Sequence, residues 1–206
     1  MAVQLVIFDC DGVLFASGEA NVAFYNEVLR RCGQPELDDD GEAACHALAS
    51  AQLFEKYYGD RPELLARLRE TANAMDYGPF YPLMRPHEGL YEFLSALRQR
   101  YKTAMATNRG KTVGGVLDYF QLEPYFDLAV GVHDVERPKP HPDMLLKCAR
   151  HFSLEPREAV YVGDQPGDAA SAAAAGMSFI AMGDAVRDAR DVVSRLEQIV
   201  PLIERL

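Results

Sequence analysis

The chain has 206 residues, of which 49% are hydrophobic and 25% charged, with a formal net charge of −10. This composition predicts a soluble globular protein of one large domain, or of one domain with a modest inserted module. The acidic balance argues against nucleic acid or an anionic membrane as a general partner, because no basic field would attract a polyanion. No apolar run reaches the roughly 18 residues that a membrane span needs.

The N-terminus lacks the basic and small-residue features of a secretory signal. The four cysteines, Cys10, Cys32, Cys45 and Cys148, form no C-x-x-C pair, so neither a zinc site nor a disulfide framework is indicated. We therefore expect a cytoplasmic protein. Separately, we expect it to be a monomer or a weak dimer.

The first 85 residues combine one strand with a helical segment. Residues 3–8 are apolar and rich in β-branched side chains, which predicts a strand buried on both faces. Between residues 16 and 85 no strand-like run is found, and apolar stripes predict helices over 19–32, 42–58 and 62–75. A proline-rich stretch, 78–86, ends this small all-helical insert.

An alternation of strands and helices follows from Gly89 onward. Strands are predicted at 103–106, 128–130, 159–162 and 178–182, and helices at about 91–97, 112–120, 142–152, 168–175 and 191–204. Such alternation predicts an α/β fold with a doubly wound, Rossmann-like parallel sheet. Residues 1–15 and 86–206 would form this core, and residues 16–85 an insert over the carboxyl ends of its strands.

Polar side chains follow four of the predicted strands. They are Asp9 and Asp11 after the first, Thr107, Asn108 and Arg109 after the second, Lys139 in a proline-flanked loop after the third, and Asp164 and Asp168 after the fourth. Each has a local explanation, such as a helix cap at Asn108 or a solvated lysine at Lys139. Their joint occurrence at one edge of the sheet predicts a functional crevice there, where open α/β sheets bind ligands.

These motifs resemble the haloacid dehalogenase-like hydrolase superfamily, in the subgroup whose helical cap follows the first motif, and more narrowly the phosphoglycolate-phosphatase-like proteins. The matching positions are Asp9-x-Asp11-Gly12-Val13-Leu14, Thr107-Asn108, Lys139, and Gly163-Asp164 with Asp168. The resemblance implies a magnesium-dependent phosphatase in which Asp9 is the nucleophile and forms an aspartyl-phosphate.

The resemblance also assigns roles to the other positions. Mg²⁺ would be bound by the carboxylates of Asp9 and Asp164 and the backbone carbonyl of Asp11, with Asp168 in support. Asp11 would protonate the leaving oxygen and then activate water, while Thr107, Asn108 and Lys139 bind phosphate. Arg109, which we include among the phosphate-binding residues, and Lys111 either contact substrate or lie at a solvated helix start.

These roles agree with elementary chemistry. A phosphomonoester dianion repels a carboxylate nucleophile, so positive charge must be supplied before Asp9 can reach phosphorus. Mg²⁺ prefers hard oxygen ligands, and Lys139 adds a point charge. The expected substrate is a small phosphorylated metabolite.

Several alternatives remain open at this stage. A sugar-phosphate mutase of the β-phosphoglucomutase kind would share the core and differ in the cap. A phosphoacceptor domain, or a silent binding protein on the same fold, would not turn over substrate. Dehalogenases lack an aspartate at the position of Asp11, and this aspartate also argues against Schiff-base chemistry at Lys56. A nicotinamide-binding protein is disfavoured because no G-x-G-x-x-G follows the first strand.

Overall fold

The computed structural model describes residues 2–48 and 50–206. The chain divides into two compact units, one formed by residues up to 16 together with 86–206, and the other by residues 17–85. We refer to them as the core unit and the helical unit.

Strands occupy eight places in the described part of the chain. They are β1 (Leu5–Phe8), β2 (Phe15–Ala16), β3 (Arg85–Pro86), β4 (Lys102–Ala106), β5 (Leu128–Val130), β6 (Ala159–Gly163), β7 (Ser178–Met182) and β8 (Val192–Val193). Within the described residues of the core unit, six of them form one sheet in the order β5-β4-β1-β6-β7-β8, with parallel pairing throughout.

The helices of the described residues are α1 (Gly18–Arg31), α2 (Asp39–Ala47), α3 (Ser50–Tyr58), α4 (Pro62–Ala74), α5 (Leu90–Arg98), α6 (Thr112–Tyr119), α7 (Asp143–His151), α8 (Pro166–Ala175) and α9 (Ile199–Ile203). Short 3₁₀ helices add Gly78–Leu83, Glu123–Tyr125, Val132–Asp134, Pro156–Glu158 and Leu196–Gln198. None of these helices is both long and apolar enough to cross a membrane.

Strand β1 lies at the centre of the sheet, and all four of its residues are buried. Alternate side chains point to opposite faces, as a pleated strand requires. Ile7 belongs to a buried cluster with residues of α7 and α8, while Phe8 packs edge-to-face on Phe93 of α5, with ring centroids 6.0 Å apart. Helices therefore cover both faces, and the predicted α/β fold class is confirmed.

The helical unit departs from the prediction in its middle. The single helix expected over residues 42–58 is wrong, because α2 ends before Leu48, whose backbone is extended (φ −107°, ψ 145°). The start also lies earlier than predicted, since the Asp38 carboxylate accepts a hydrogen bond from Gly41 N–H and caps the helix at Asp39.

The C-terminal segment also differs. The helix predicted over residues 191–204 is wrong in its first part, because Val192–Val193 forms the edge strand β8 beside β7. Two backbone hydrogen bonds hold it, from Ala181 N–H to Asp191 and from Gly183 N–H to Val193. β-branched residues favour a strand, and here available pairing to β7 outweighs the helical pattern. Only Ile199–Ile203 is α-helical in this segment.

Candidate active site

Asp9 and Asp11 lie where β1 ends. The Asp9 N–H donates to Val162 O at 2.9 Å, so Asp9 continues the sheet ladder by one residue and is buried there. Its Oδ1 atom accepts a hydrogen bond from Cys10 N–H at 2.7 Å. The chain then turns at Gly12, whose φ of +76° is a conformation that glycine adopts without strain.

A buried network surrounds the ammonium group of Lys139. Its Nζ atom lies 2.7 Å from Asp168 Oδ1, 3.0 Å from Asp9 Oδ2 and 2.9 Å from the Tyr161 hydroxyl. The Tyr161 hydroxyl is in turn 3.0 Å from Asp168 Oδ1 and 3.1 Å from Ala106 O. An ammonium group has three N–H donors, so this network offers an acceptor to each of them.

Asp168 organises the loop that carries Asp164. Its Oδ2 atom accepts hydrogen bonds from the backbone N–H groups of Asp164 and Gln165, at 3.1 and 2.9 Å. Its Oδ1 atom is occupied by Lys139 and Tyr161. Both Asp168 oxygens are therefore engaged within the protein, and its supporting role stays a prediction.

Asp164 is arranged differently. Its Oδ2 atom accepts a hydrogen bond from the Gln165 side chain at 2.6 Å, whereas Oδ1 is buried and has no hydrogen-bond partner. A buried carboxylate oxygen without a donor is costly unless something else satisfies it. Asp9, Asp164 and Asp168 each offer an oxygen within 4.8 Å of the others. Hard oxygen donors and an unsatisfied buried oxygen fit a Mg²⁺ ion.

The charges of these buried side chains also favour a bound cation. Asp9, Asp164 and Asp168 bring three carboxyl groups against the one ammonium of Lys139. Burial raises the pKa of Asp9 well above its usual range, although Lys139 opposes this. Burial also raises the pKa of Asp164 to about 7, against the hydrogen bond from Gln165. Burial alone would lower the pKa of Lys139, but Asp168 and Asp9 outweigh it and raise that pKa. A divalent cation would favour the ionised carboxylates.

The Asp11 carboxylate is separate from this group. It forms an ion pair with Arg109, in which Nε lies 2.7 Å from Oδ2 and Nη2 lies 2.6 Å from Oδ1. The atom of Asp11 that is expected to bind the metal is its backbone carbonyl oxygen, whereas the ion pair with Arg109 involves only the side chain. The metal contact stays a prediction.

The segment after β4 carries the remaining predicted residues. Thr107 is buried, and its Oγ1 atom accepts a hydrogen bond from Arg109 N–H at 3.2 Å. The Asn108 side chain contacts the backbone of Lys139, and Arg109 contacts Asp11. Lys111 is exposed immediately before α6. The structure thus brings Asp9, Lys139, Asp164 and Asp168 into one network and joins Asp11 to Arg109 beside it.

Sequence reasoning missed two side chains of the site, Tyr161 and Gln165. Tyr161 is fully buried in β6 with its hydroxyl on Lys139 and Asp168, and Gln165 donates to Asp164. The signal for Tyr161 was present, because a tyrosine in an otherwise apolar buried strand needs a partner for its hydroxyl. Nothing in the sequence marked Gln165 beyond its place between two aspartates.

Comparisons with known proteins agree with this geometry. A sequence model of the family described as haloacid dehalogenase-like hydrolase matches residues 6–182. Pyrophosphatase PpaX of Halalkalibacterium halodurans is 25% identical over 189 residues, which are 91% of this chain and 86% of the relative. Phosphoglycolate phosphatase of Escherichia coli O157:H7 is 30% identical over 157 residues, covering 75% of this chain and 55% of that protein.

A solved structure is similar over nearly the whole chain. It is a haloacid dehalogenase-superfamily hydrolase of subfamily IA, variant 1, from Geobacter sulfurreducens, 36% identical with a TM-score of 0.77 and covering 98% of this chain and 96% of its own. A β-phosphoglucomutase from Clostridium difficile shares the fold at 17% identity, with a TM-score of 0.82 and 98% coverage of each chain.

The core unit is an α/β fold in which the carboxylate-lysine network lies at the carboxyl ends of parallel strands. The chain belongs to the haloacid dehalogenase-like hydrolase family. The predictions of family and of an enzyme of the phosphatase type are thereby confirmed.

Proposed function

We propose that the chain is a Mg²⁺-dependent phosphatase that hydrolyses a small phosphorylated metabolite in two steps through a phosphorylated Asp9. The observation that carries the proposal is the contact of Lys139 with Asp9 and Asp168, next to the unsatisfied Oδ1 atom of Asp164. A nucleophilic carboxylate, a fixed positive charge and oxygen ligands for a cation are the parts that phosphoryl transfer requires.

Each residue has a task in this reaction. Asp9 attacks phosphorus, with Lys139 offsetting charge on the phosphoryl oxygens. Asp11 gives a proton to the leaving oxygen and later takes one from the water that hydrolyses the aspartyl-phosphate. Thr107 and the backbone N–H of Asn108 bind the phosphoryl group. Mg²⁺, held by Asp9, Asp164 and the Asp11 carbonyl, would supply further neutralisation of phosphate charge.

The helical unit enters the proposal as a cap domain that selects the substrate. Support comes from its position in the chain, since residues 17–85 are inserted directly after the loop that carries Asp9 and Asp11. A cap of this kind admits substrate and excludes bulk water during transfer. A cytoplasmic location fits the cysteines of the described residues, which are all buried and free.

The test is an assay of purified protein against a panel of phosphorylated metabolites, with Mg²⁺ and with a chelator. Pyrophosphate and 2-phosphoglycolate are the first substrates, because relatives carry those names. Asp9→Asn is expected to abolish phosphate release, whereas Asp118→Asn, an exposed carboxylate on α6, serves as the matched control. Turnover that survives the chelator, or full activity of Asp9→Asn, refutes the mechanism.

The same assay separates the alternatives. Conversion of a sugar phosphate into its isomer without release of inorganic phosphate would identify a mutase. Stable labelling of Asp9 by acetyl phosphate without turnover would identify a phosphoacceptor. No reaction under either condition would leave a binding protein on this fold.

A further inference from the structure

Arg109 and Asp11 form a bidentate ion pair inside the core unit. The Arg109 Nε atom donates to Asp11 Oδ2 at 2.7 Å, and Nη2 donates to Oδ1 at 2.6 Å. Only 7% of the Arg109 side chain and 19% of the Asp11 side chain are exposed. Two parallel N–H···O bonds fix the plane and direction of a carboxylate as well as its distance, which a single point charge cannot do.

The backbone of Arg109 is held on both sides. Its N–H donates to Thr107 Oγ1 at 3.2 Å, and its carbonyl accepts from Val132 N–H at 3.0 Å. Gly131 permits this approach, since a Cβ atom there would lie 2.6 Å from the Arg109 carbonyl oxygen. The base of the Arg109 side chain is therefore anchored to the ends of two strands, β4 and β5.

Asp11 reaches this ion pair from a different strand end. The tight loop after β1 is closed by hydrogen bonds from Gly12 N–H to Phe15 O at 2.8 Å and from Leu14 N–H to Cys10 O at 3.0 Å. The two cationic side chains thus serve different carboxylates, because Lys139 contacts Asp9 and Arg109 contacts Asp11. This division gives Arg109 a task distinct from that of Lys139.

We propose that Arg109 is a positioning residue that acts through Asp11 and aims its carboxyl group at the oxygen of the leaving group, without binding the phosphoryl group itself. This inference rests on the proposed function, in which Asp11 gives a proton to that oxygen. One Asp11 oxygen can turn to the leaving group while the other remains held by the guanidinium. Asp11 takes up this proton from solvent on the oxygen that turns away from Arg109. As an Asp9 oxygen bonds to phosphorus, the bond from phosphorus to the substrate oxygen breaks and the proton passes from Asp11 to the departing oxygen, which leaves Asp11 as the carboxylate that pairs with Arg109.

The dependence of the rate on the leaving group distinguishes positioning from phosphate binding. An alkoxide is a poor leaving group and needs the proton of a general acid, whereas p-nitrophenolate departs without one. The comparison uses kcat/KM, which reports the barrier up to transfer of the phosphoryl group to Asp9. The later hydrolysis of the aspartyl-phosphate, which is the same for both substrates, does not affect kcat/KM.

The experiment measures kcat/KM of the full-length wild type, Arg109→Lys and Arg109→Met with ethyl phosphate and with p-nitrophenyl phosphate. Lysine keeps the positive charge but cannot donate two parallel hydrogen bonds to the Asp11 carboxylate. We expect Arg109→Lys to lower kcat/KM for ethyl phosphate about 100-fold and for p-nitrophenyl phosphate less than about threefold, as loss of general-acid catalysis predicts. Inhibition by inorganic phosphate is expected to be unchanged.

A double-mutant comparison adds a second readout. In an Asp11→Asn background, Arg109→Lys is expected to cause no further loss with ethyl phosphate, because the two residues act as one unit. Equal losses with both substrates, weaker inhibition by inorganic phosphate, or no loss with either substrate would overturn the inference. If Arg109→Met fails to fold, Arg109→Lys decides alone. A wild type that hydrolyses neither ester nor any member of the metabolite panel would refute the proposed function instead.

Discussion

The side chain of Asn108 exchanges two hydrogen bonds with the backbone of Lys139. The Asn108 Oδ1 atom accepts from the Lys139 N–H at 3.1 Å, and Nδ2 donates to the Lys139 carbonyl at 3.4 Å. Lys139 is therefore held at both ends, by Asn108 at its backbone and by Tyr161 and Asp168 at its ammonium group. We expect its contact with Asp9 to depend on both attachments.

Asn108→Ala removes the backbone attachment. We expect a loss of about 1–2 kcal/mol in the free energy of unfolding, since each net hydrogen bond contributes about 0.5–1.5 kcal/mol. We also expect kcat to fall at least about tenfold, because small displacements of a charged group are costly in catalysis. Urea unfolding and phosphate release measure the two effects. An unchanged kcat in Asn108→Ala would show that Lys139 is held without Asn108.

Tyr161→Phe removes only a hydroxyl from the buried network. The ring stays in place, but one N–H of Lys139 loses its acceptor, which costs about 1–3 kcal/mol for a buried donor. We expect a lower melting temperature and a fall of about tenfold in kcat, as Lys139 is less firmly directed at Asp9. Tyr119→Phe, whose side chain lies on the surface, is the matched control. Equal behaviour of the two variants would assign Tyr161 a packing role alone.

The fold was largely predictable from the sequence because the core strands are short apolar runs between clear helical patterns. β1, β4, β5, β6 and β7 fall within one residue or two of the predicted positions. The exception, β8, has only two residues, and its pairing with β7 depends on a neighbour distant from any local pattern. The break between α2 and α3 likewise follows from the extended backbone at Leu48, which its residue type does not require.

The sequence predicted the strand ends at which the site lies, but it did not predict which side chains contact each other there. That Asp9, Lys139, Asp164 and Asp168 would approach each other follows from parallel strands ending at one edge. That Arg109 contacts Asp11, and that Asn108 contacts the Lys139 backbone, depends on rotamers and loop paths. Sequence spacing does not determine those.

Gly12→Ala tests the close approach of the Asp9 loop to Asp164. A Cβ atom at Gly12 would collide with the Asp164 carboxyl group, and its φ of +76° is strained for alanine. Gly176→Ala is a control in the same unit, with a φ of +71° and nothing within 4 Å. The control should cost about 1–2 kcal/mol, the strain of a left-handed residue. Gly12→Ala should cost more and abolish Mg²⁺-dependent activity, and equal losses of stability with retained activity would contradict the contact.

The raised pKa values of Asp9 and Asp164 predict how stability depends on pH and on Mg²⁺. Burial raises the pKa of Asp164 from 3.8 to about 7. Between those values the unfolded chain binds fewer protons than the folded one, so the stability of the metal-free protein falls as pH rises. Mg²⁺ binds the ionised carboxylates and opposes this loss, since metal affinity rises as ligands deprotonate.

The melting temperature should therefore fall between about pH 5 and pH 8 in a chelator and depend less on pH in Mg²⁺, so that the increase caused by Mg²⁺ grows with pH. Asp164→Asn removes one of the two titrating groups and one proposed ligand, and it should make the metal-free profile less steep and reduce the Mg²⁺ effect at every pH. NaCl at the same ionic strength checks that the effect is not general screening. A Mg²⁺ effect that is constant across this pH range would contradict the assignment of Asp164 as a ligand, because a ligand that must ionise cannot bind equally well on both sides of its pKa.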